Sequence, residues 1–203
     1  AFLRVPSMIF TLGVNALLRG LMVVHTGGFA PQTHATDLMT FLATGHVLGI
    51  PMALLVWALL SLGMVFMLRR TVFGRYIYAI GNREAAAYLS GVPTRWVLVG
   101  AFALCGFCAG LAGVLLAGYS TKAYQGMGDA YLLPSIAAVV IGGTHILGGR
   151  GRYAGTVVGA ILITLLSSVL SVMQMPEAGR QIIYGLVIIV MLLAYGRSRA
   201  AGT

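Results

Sequence analysis

Charge is what this sequence has least of. Of its 203 residues 8% are charged and 59% are apolar, whereas about a quarter of the residues in a soluble domain carry charge. That shortage excludes an ordinary soluble fold and points to lipid as the solvent. Acidic residues are scarcer still, 4 Asp and Glu against 13 Lys and Arg, for a net charge of +9. In a membrane chain such an excess is first a topology signal, and no DNA- or RNA-reading pattern accompanies it, so no nucleic-acid partner is expected. Only two cysteines occur, Cys105 and Cys108, both in one apolar stretch, which excludes a disulfide framework and leaves the redox compartment open. The start, Ala1-Phe2-Leu3-Arg4-Val5, has neither Met nor the order of a signal peptide. The chain is expected to be a fragment lacking its N-terminus.

What is present is apolar length. Uncharged stretches that approach the roughly 17 to 25 residues of a spanning helix run over 51–68, 96–118, 130–149 and 153–176. Two marginal ones join them, 5–24, interrupted by Arg19, and the short 181–196. The reading is an all-α membrane protein, a polytopic helix bundle with about six spans, some broken or short. Under strict alternation, Arg4, Arg69, Arg70, Arg75, Arg83, Arg95, Arg150, Arg152, Arg197 and Arg199 fall on one side and only Lys122 and Arg180 on the other. The basic excess marks the cytoplasmic side, so the 69–95 loop and the C-terminus are expected in the cytoplasm.

Two spans open alike, Val5-Pro6-Ser7 and Leu133-Pro134-Ser135, and the second ends in Gly142-Gly143-Thr144 and Gly148-Gly149. Broken helices of an inverted repeat leave such a trace; two matching residues also arise by chance. Gly106, Gly110 and Gly113, and the ladder Gly151, Gly155 and Gly159, space small residues for close helix packing. Cys105 and Cys108 form a C-x-x-C, but in mid-span they read as small packing residues. Gly126-Met127-Gly128-Asp129 matches the G-x-G-D string of intramembrane aspartyl proteases, which need a second membrane carboxylate. Asp37, Glu84 and Glu177 all lie in loops or turns, so none supplies it. His25, His34, His46 and His145 show no helical metal spacing and read as surface or interface residues. Neither a metal nor a cofactor is expected. Gly148-Gly149-Arg150-Gly151 is glycine-rich without being a phosphate loop. If ATP drives this chain, another subunit hydrolyses it.

The 69–95 segment is too long for a tight turn. Asn82 is placed to cap a helix, Glu84 falls in its first turn, Ala85-Ala86-Ala87 favour it, Gly91 can close it in the left-handed conformation, and Pro93 lies just beyond. The pattern predicts about two helical turns outside the bilayer. So short a helix needs a partner surface to be stable. The alternative is a solvated connector held by its neighbours.

The stretch from Phe73-Gly74-Arg75 through Ala79-Ile80-Gly81-Asn82-Arg83-Glu84-Ala85-Ala86-Ala87 to Gly91 is one of four ordered blocks. The others are Val5-Pro6-Ser7-Met8-Ile9-Phe10-Thr11-Leu12-Gly13 with Leu18-Arg19-Gly20, Pro134-Ser135-Ile136 through Ile141-Gly142-Gly143-Thr144, and Gly148-Gly149-Arg150-Gly151 with Gly155-Thr156. Together they resemble the inner-membrane permease subunit of bacterial ATP-binding-cassette importers for monosaccharides, the ribose, xylose and rhamnose permease family. The chain resembles the C-terminal two-thirds of such a subunit, a single transmembrane permease domain over 1–203 with a cytoplasmic coupling loop at 69–95.

The resemblance implies a transport subunit rather than an enzyme, in the bacterial inner membrane, with ATP hydrolysed in a separate chain. It further implies that the short cytoplasmic helix docks on that ATPase, which makes Asn82, Glu84, Ala85, Ala86 and Gly91 the coupling candidates. Four residues separate Ala86 from Gly91, so the pattern departs from the Glu-Ala-Ala-x-x-x-Gly loop of another importer class. The implied partners are two ATPase subunits, a second permease subunit, a periplasmic sugar-binding protein and membrane lipid. Branched-chain amino acid permeases share a similar loop and are the nearest rival; a membrane enzyme is the rival of another class. For a path, neutral hydrogen-bonding groups on interrupted helices suit a neutral polyol, which selects Thr11, Asn15, Ser135 and Thr144. Such groups also bond the backbone of their own helices. Arg19, costly in lipid, is expected to face protein, water or headgroups.

Overall fold

A computed structural model describes residues 7–27, 35–47, 49–121, 123–124, 126–145 and 148–200. Arg4, Val5, Pro6, His34 and Lys122 lie outside the described residues. The chain forms two compact units, residues 1–62 with 93–128, and residues 63–92 with 129–203.

The first unit holds α1 (Ser7–Thr26), α2 (Asp37–Thr44), a hairpin of β1 (His46–Val47) and β2 (Ile50–Pro51), the first part of α3 (Met52–Arg70), and α6 (Thr94–Ser120). Val47 pairs with Ile50 across the hairpin, and Gly49 turns it at φ +81°, a conformation glycine adopts at no steric cost. The short α2 is absent from the expected spans because eight residues are too few to register as apolar length. It is held against the end of α6, where Gly118 presses on the Met39 carbonyl and Ala43. There the Ala35 amide donates to the Thr121 carbonyl at 3.0 Å. The stripe Gly106, Gly110 and Gly113 behaves otherwise: a methyl at any of the three would meet nothing within 4 Å. The close approach on α6 is made by Gly118 instead.

The second unit takes the end of α3, then α4 (Val72–Asn82), α5 (Glu84–Leu89), a 3-10 turn Asp129–Tyr131, α7 (Leu132–Ile141), α8 (Tyr153–Val172) and α9 (Glu177–Ala200). Thr71 joins α3 to α4: its hydroxyl donates to the Met67 carbonyl at 2.6 Å and accepts from the Gly74 amide at 3.3 Å. Gly74 lies directly on the Leu68 carbonyl, so the chain turns with no side chain between the helices.

At the centre of this unit is α7. Of the 130–149 run only ten residues, Leu132–Ile141, are α-helical, about 15 Å at 1.5 Å per residue, half of a ~30 Å hydrocarbon core. The helix stops because Gly143 turns left-handed at φ +77°. There the Gly143 amide bonds the Val140 carbonyl at 3.0 Å and the Thr144 amide bonds that of Val139 at 3.2 Å, which satisfies carbonyls left open at a helix end. Ala137 and Ala138 are buried against Ile163 of α8 and Tyr184 of α9, and Val140 is buried as well. Irregular backbone at membrane depth is tolerated where protein covers it.

The Gly155 and Gly159 positions of α8 make that cover close. A methyl on Gly155 would strike the Gly142 carbonyl, and one on Gly159 the Ala138 carbonyl. The ladder expected to pack helices does so, against α7.

Three described helices are long and apolar enough to cross a membrane, α3, α6 and α8, and two shorter apolar stretches cover Phe10–Thr26 and Asp129–Ile141. With α9 over the 181–196 run, the expected all-α polytopic architecture stands.

Candidate functional site

The 69–95 segment contains two helices where one was expected. Asn82 does not cap the second: it is the last residue of α4, and Arg83, extended at φ −156° and ψ 108°, occupies the N-cap position without a side-chain cap bond. The reason is that Thr71 caps an α4 that runs through Gly74 and Gly81, so the backbone is already helical when it reaches Asn82. From Glu84 onward the expectation holds. Glu84 sits in the first turn, and Gly91 is left-handed at φ +81°. The Gly91 amide bonds the Tyr88 carbonyl at 3.0 Å and the Val92 amide that of Ala87 at 3.1 Å.

Only Ala87 of the short helix is buried, at 5% exposure. Asn82, Glu84, Ala85, Ala86 and Gly91 are all exposed. So are Tyr88 at 69% and Leu89 at 85%, two large apolar side chains left uncovered among the described residues. Sequence reasoning named the acidic and small residues of this surface and passed over Tyr88 and Leu89. The signal was available: six helical residues with one inward position leave the others outside.

Behind this surface α4 meets the loop that leads into α8. A methyl on Gly81 would stand 2.5 Å from the Gly149 amide nitrogen, and one on Gly149 would stand 2.8 Å from the Asn82 α-carbon. Gly148 and Gly149 are left-handed, at φ +87° and +77°. The loop is closed by the His145 amide on the Arg150 carbonyl at 2.8 Å.

The path candidates are placed separately. Thr11 and Asn15 lie exposed on α1 in the first unit. Ser135 and Thr144 lie in the second, one in the first half of α7 and the other beyond its end, on the order of 10 Å apart at helical rise. The Ser135 hydroxyl donates to its own helix, at the Leu132 carbonyl, 2.9 Å away. Thr144 is half-buried, its hydroxyl 3.2 Å from that of Thr156 on α8. Among the described residues no group of three His, Cys, Asp or Glu could hold a metal ion.

Three helices long and apolar enough to cross a membrane, with a half-length helix covered by α8 and α9, define an integral membrane protein of the polytopic α-helical class. The chain belongs to the family described as branched-chain amino acid transport system, permease component, which matches residues 1–192. It is 38% identical over 194 residues to the ribose import permease protein of Haemophilus influenzae, covering 94% of this chain and 60% of that protein. It is 36% identical over 193 residues to the ribose import permease protein of Escherichia coli K12, with the same coverage. A third relative, the autoinducer 2 import system permease protein of Yersinia pestis, is 36% identical over 200 residues, 98% of this chain and 57% of that protein. The chain thus spans about 60% of the length of these curated relatives. No solved structure matches at a significant level. The resemblance to the sugar permeases is borne out, and the amino acid alternative is no better supported by these relatives.

Proposed function

We propose that this chain is the membrane permease subunit of an ATP-binding-cassette importer that passes a monosaccharide handed over by a binding protein. The observation that carries the reading is the match, over 94% of the chain, to proteins named ribose import permeases. In this reading the chain sits in a bacterial inner membrane with the 69–95 segment and the C-terminus in the cytoplasm, as the distribution of arginines favours. Its partners are two ATPase subunits, a second permease subunit and a soluble binding protein, and the chain itself performs no hydrolysis.

The mechanism follows from the second unit. An ATPase groove receives α5 through Glu84, Ala85, Ala86, Tyr88 and Leu89, with Gly91 and Asn82 at the rims. Closure of the ATPase on ATP moves α5 together with the end of α4. The Gly81–Gly149 contact passes that displacement to the loop before α8, and the Gly155 and Gly159 ladder passes it to α7. Packed backbones transmit displacement because no side chain lies between them to absorb it. Thr11, Asn15, Ser135 and Thr144 are the hydroxyl and amide groups proposed to meet the sugar, and Ser135 and Thr144 ride on the moving element. The test of the assembly is purification of the full-length subunit from its native membrane: an ATPase subunit and a sugar-binding protein should accompany it. Recovery with an amino-acid-binding protein instead would favour the branch that the family's description names.

A further inference from the structure

A cleft of about 210 Å³ opens in the second unit, and Gly151, one of its lining residues, lies against the side chain of Thr144. Its apolar wall is Val65 and Leu68 of α3, and its polar wall is Arg69, Tyr78 of α4, and Arg152 and Tyr153 at the start of α8. Both charged lining residues are guanidiniums. No carboxylate lines the cleft, and neither Arg69 nor Arg152 is paired with one among the described residues. Arg152 also occupies the N-cap position of α8 without a side-chain cap bond, so the first turn there lacks one of its usual acceptors.

We propose that this cleft binds the headgroup of an anionic phospholipid. A guanidinium presents parallel N–H groups that match phosphate oxygens two at a time. Two of them with two phenol hydroxyls and an uncapped helix start form a donor set that suits a phosphodiester. The lipid source, rather than free phosphate, follows from position. Arg69 and Arg70 end α3, one of the helices long and apolar enough to cross the membrane, so the cleft lies where hydrocarbon gives way to headgroups. Leu68, next to Arg69, and Val65, one turn deeper, offer apolar surface to the first carbons of an acyl chain and would be wasted on a free anion. The volume is below the roughly 300 Å³ of small-molecule pockets and suits one headgroup. Basic pockets between membrane helices hold anionic lipids for these reasons. The inference rests on the membrane assignment alone and stands or falls independently of the transported solute.

The experiment is native mass spectrometry of the full-length permease in detergent, titrated with phosphatidylglycerol and with phosphatidylcholine of the same acyl chains. The expected result is a preference of about tenfold or more for phosphatidylglycerol, reduced to about twofold or less in Arg69→Gln/Arg152→Gln. Arg70→Gln/Arg75→Gln removes the same charge from exposed positions outside the cleft and should keep the preference. Arg69→Lys/Arg152→Lys guards against misfolding: it keeps the charge but loses the paired donors, and should fall between wild type and the Gln pair. Inorganic phosphate at millimolar concentration should leave the lipid bound. The proposal is overturned if the Gln pair keeps the full preference, or if both Gln pairs lose it equally. It is also overturned if inorganic phosphate displaces the lipid, which would make this a free-anion site. Unchanged lipid preference with loss of ATPase co-purification would assign the cleft to a protein partner and likewise overturn it.

Discussion

Gly81 and Gly149 stand backbone to backbone, with room for no methyl between them: one built on Gly81 would be 2.5 Å from the Gly149 nitrogen. This contact ties the end of α4, separated from α5 by Arg83 alone, to the loop entering α8. Gly149 is doubly constrained, since φ +77° is left-handed and a side chain there would also press on Asn82.

Replacing Gly149 by Ala should therefore destabilise by more than the roughly 1 kcal/mol of an ordinary left-handed Gly-to-Ala change. Thermal unfolding of the detergent-solubilised permease reads that loss. At a permissive temperature the variant should still bind its ATPase, while solute no longer raises ATP hydrolysis. Wild-type coupling in stably folded Gly149→Ala would remove this contact from the transmission route.

The exposed end of α5 yields a cleaner separation of stability from function. Leu89 is 85% exposed, so Leu89→Asp should change stability by no more than about 0.5 kcal/mol. A buried partner contact would cost the complex about 2 kcal/mol or more. Pull-down of the ATPase should weaken at least about tenfold in Leu89→Asp and in Glu84→Arg. Normal binding and uptake in both would return the 84–91 segment to the role of a solvated connector.

Orientation can be read with single cysteines on a background lacking Cys105 and Cys108. Ser90 and Tyr124 are exposed. A membrane-impermeant maleimide should label Ser90→Cys only from the cytoplasmic side and Tyr124→Cys only from the other. Labelling of position 90 from outside would invert the whole topology.

The half-length helix is expected to tolerate enlargement poorly. Gly159→Val would drive a side chain into the Ala138 carbonyl at an overpacking cost of about 1–3 kcal/mol. Gly106→Val, facing open space on α6, should leave the melting temperature of the solubilised subunit nearly unchanged. Equal destabilisation by the two would mean that α7 and α8 are not packed as described.

The spans were legible because lipid solvent demands long uncharged runs, and α3, α6 and α8 are such runs. The end of α7 was legible as well, since Gly142-Gly143 announces a left-handed stop. What escaped was local and amphipathic. The helix α4 carries Gly74, Arg75 and Gly81 and so reads as loop, yet its glycines are there because Leu68 and Gly149 press on them. That reason exists only in three dimensions. Displacement of the N-cap from Asn82 to Arg83 has the same origin, because capping preference is a weak prior once the preceding residues are already helical. For Gly106, Gly110 and Gly113 the spacing was visible, but spacing does not say which glycines find a neighbour. Tyr88 and Leu89 carry neither charge nor a helix-end signal in the sequence, and only their exposure in the folded chain marks them as part of this surface.

ATP-driven import of a neutral sugar is tested by uptake into vesicles containing the full-length permease pair and its ATPase, with the binding protein added. Labelled monosaccharide should accumulate only with ATP and the binding protein, and accumulation should survive collapse of the proton gradient while ATP is held constant. Uptake driven by a proton gradient without ATP would rule out an ATP-driven importer, and ATP-driven uptake of leucine but of no sugar would rule out a sugar as its substrate.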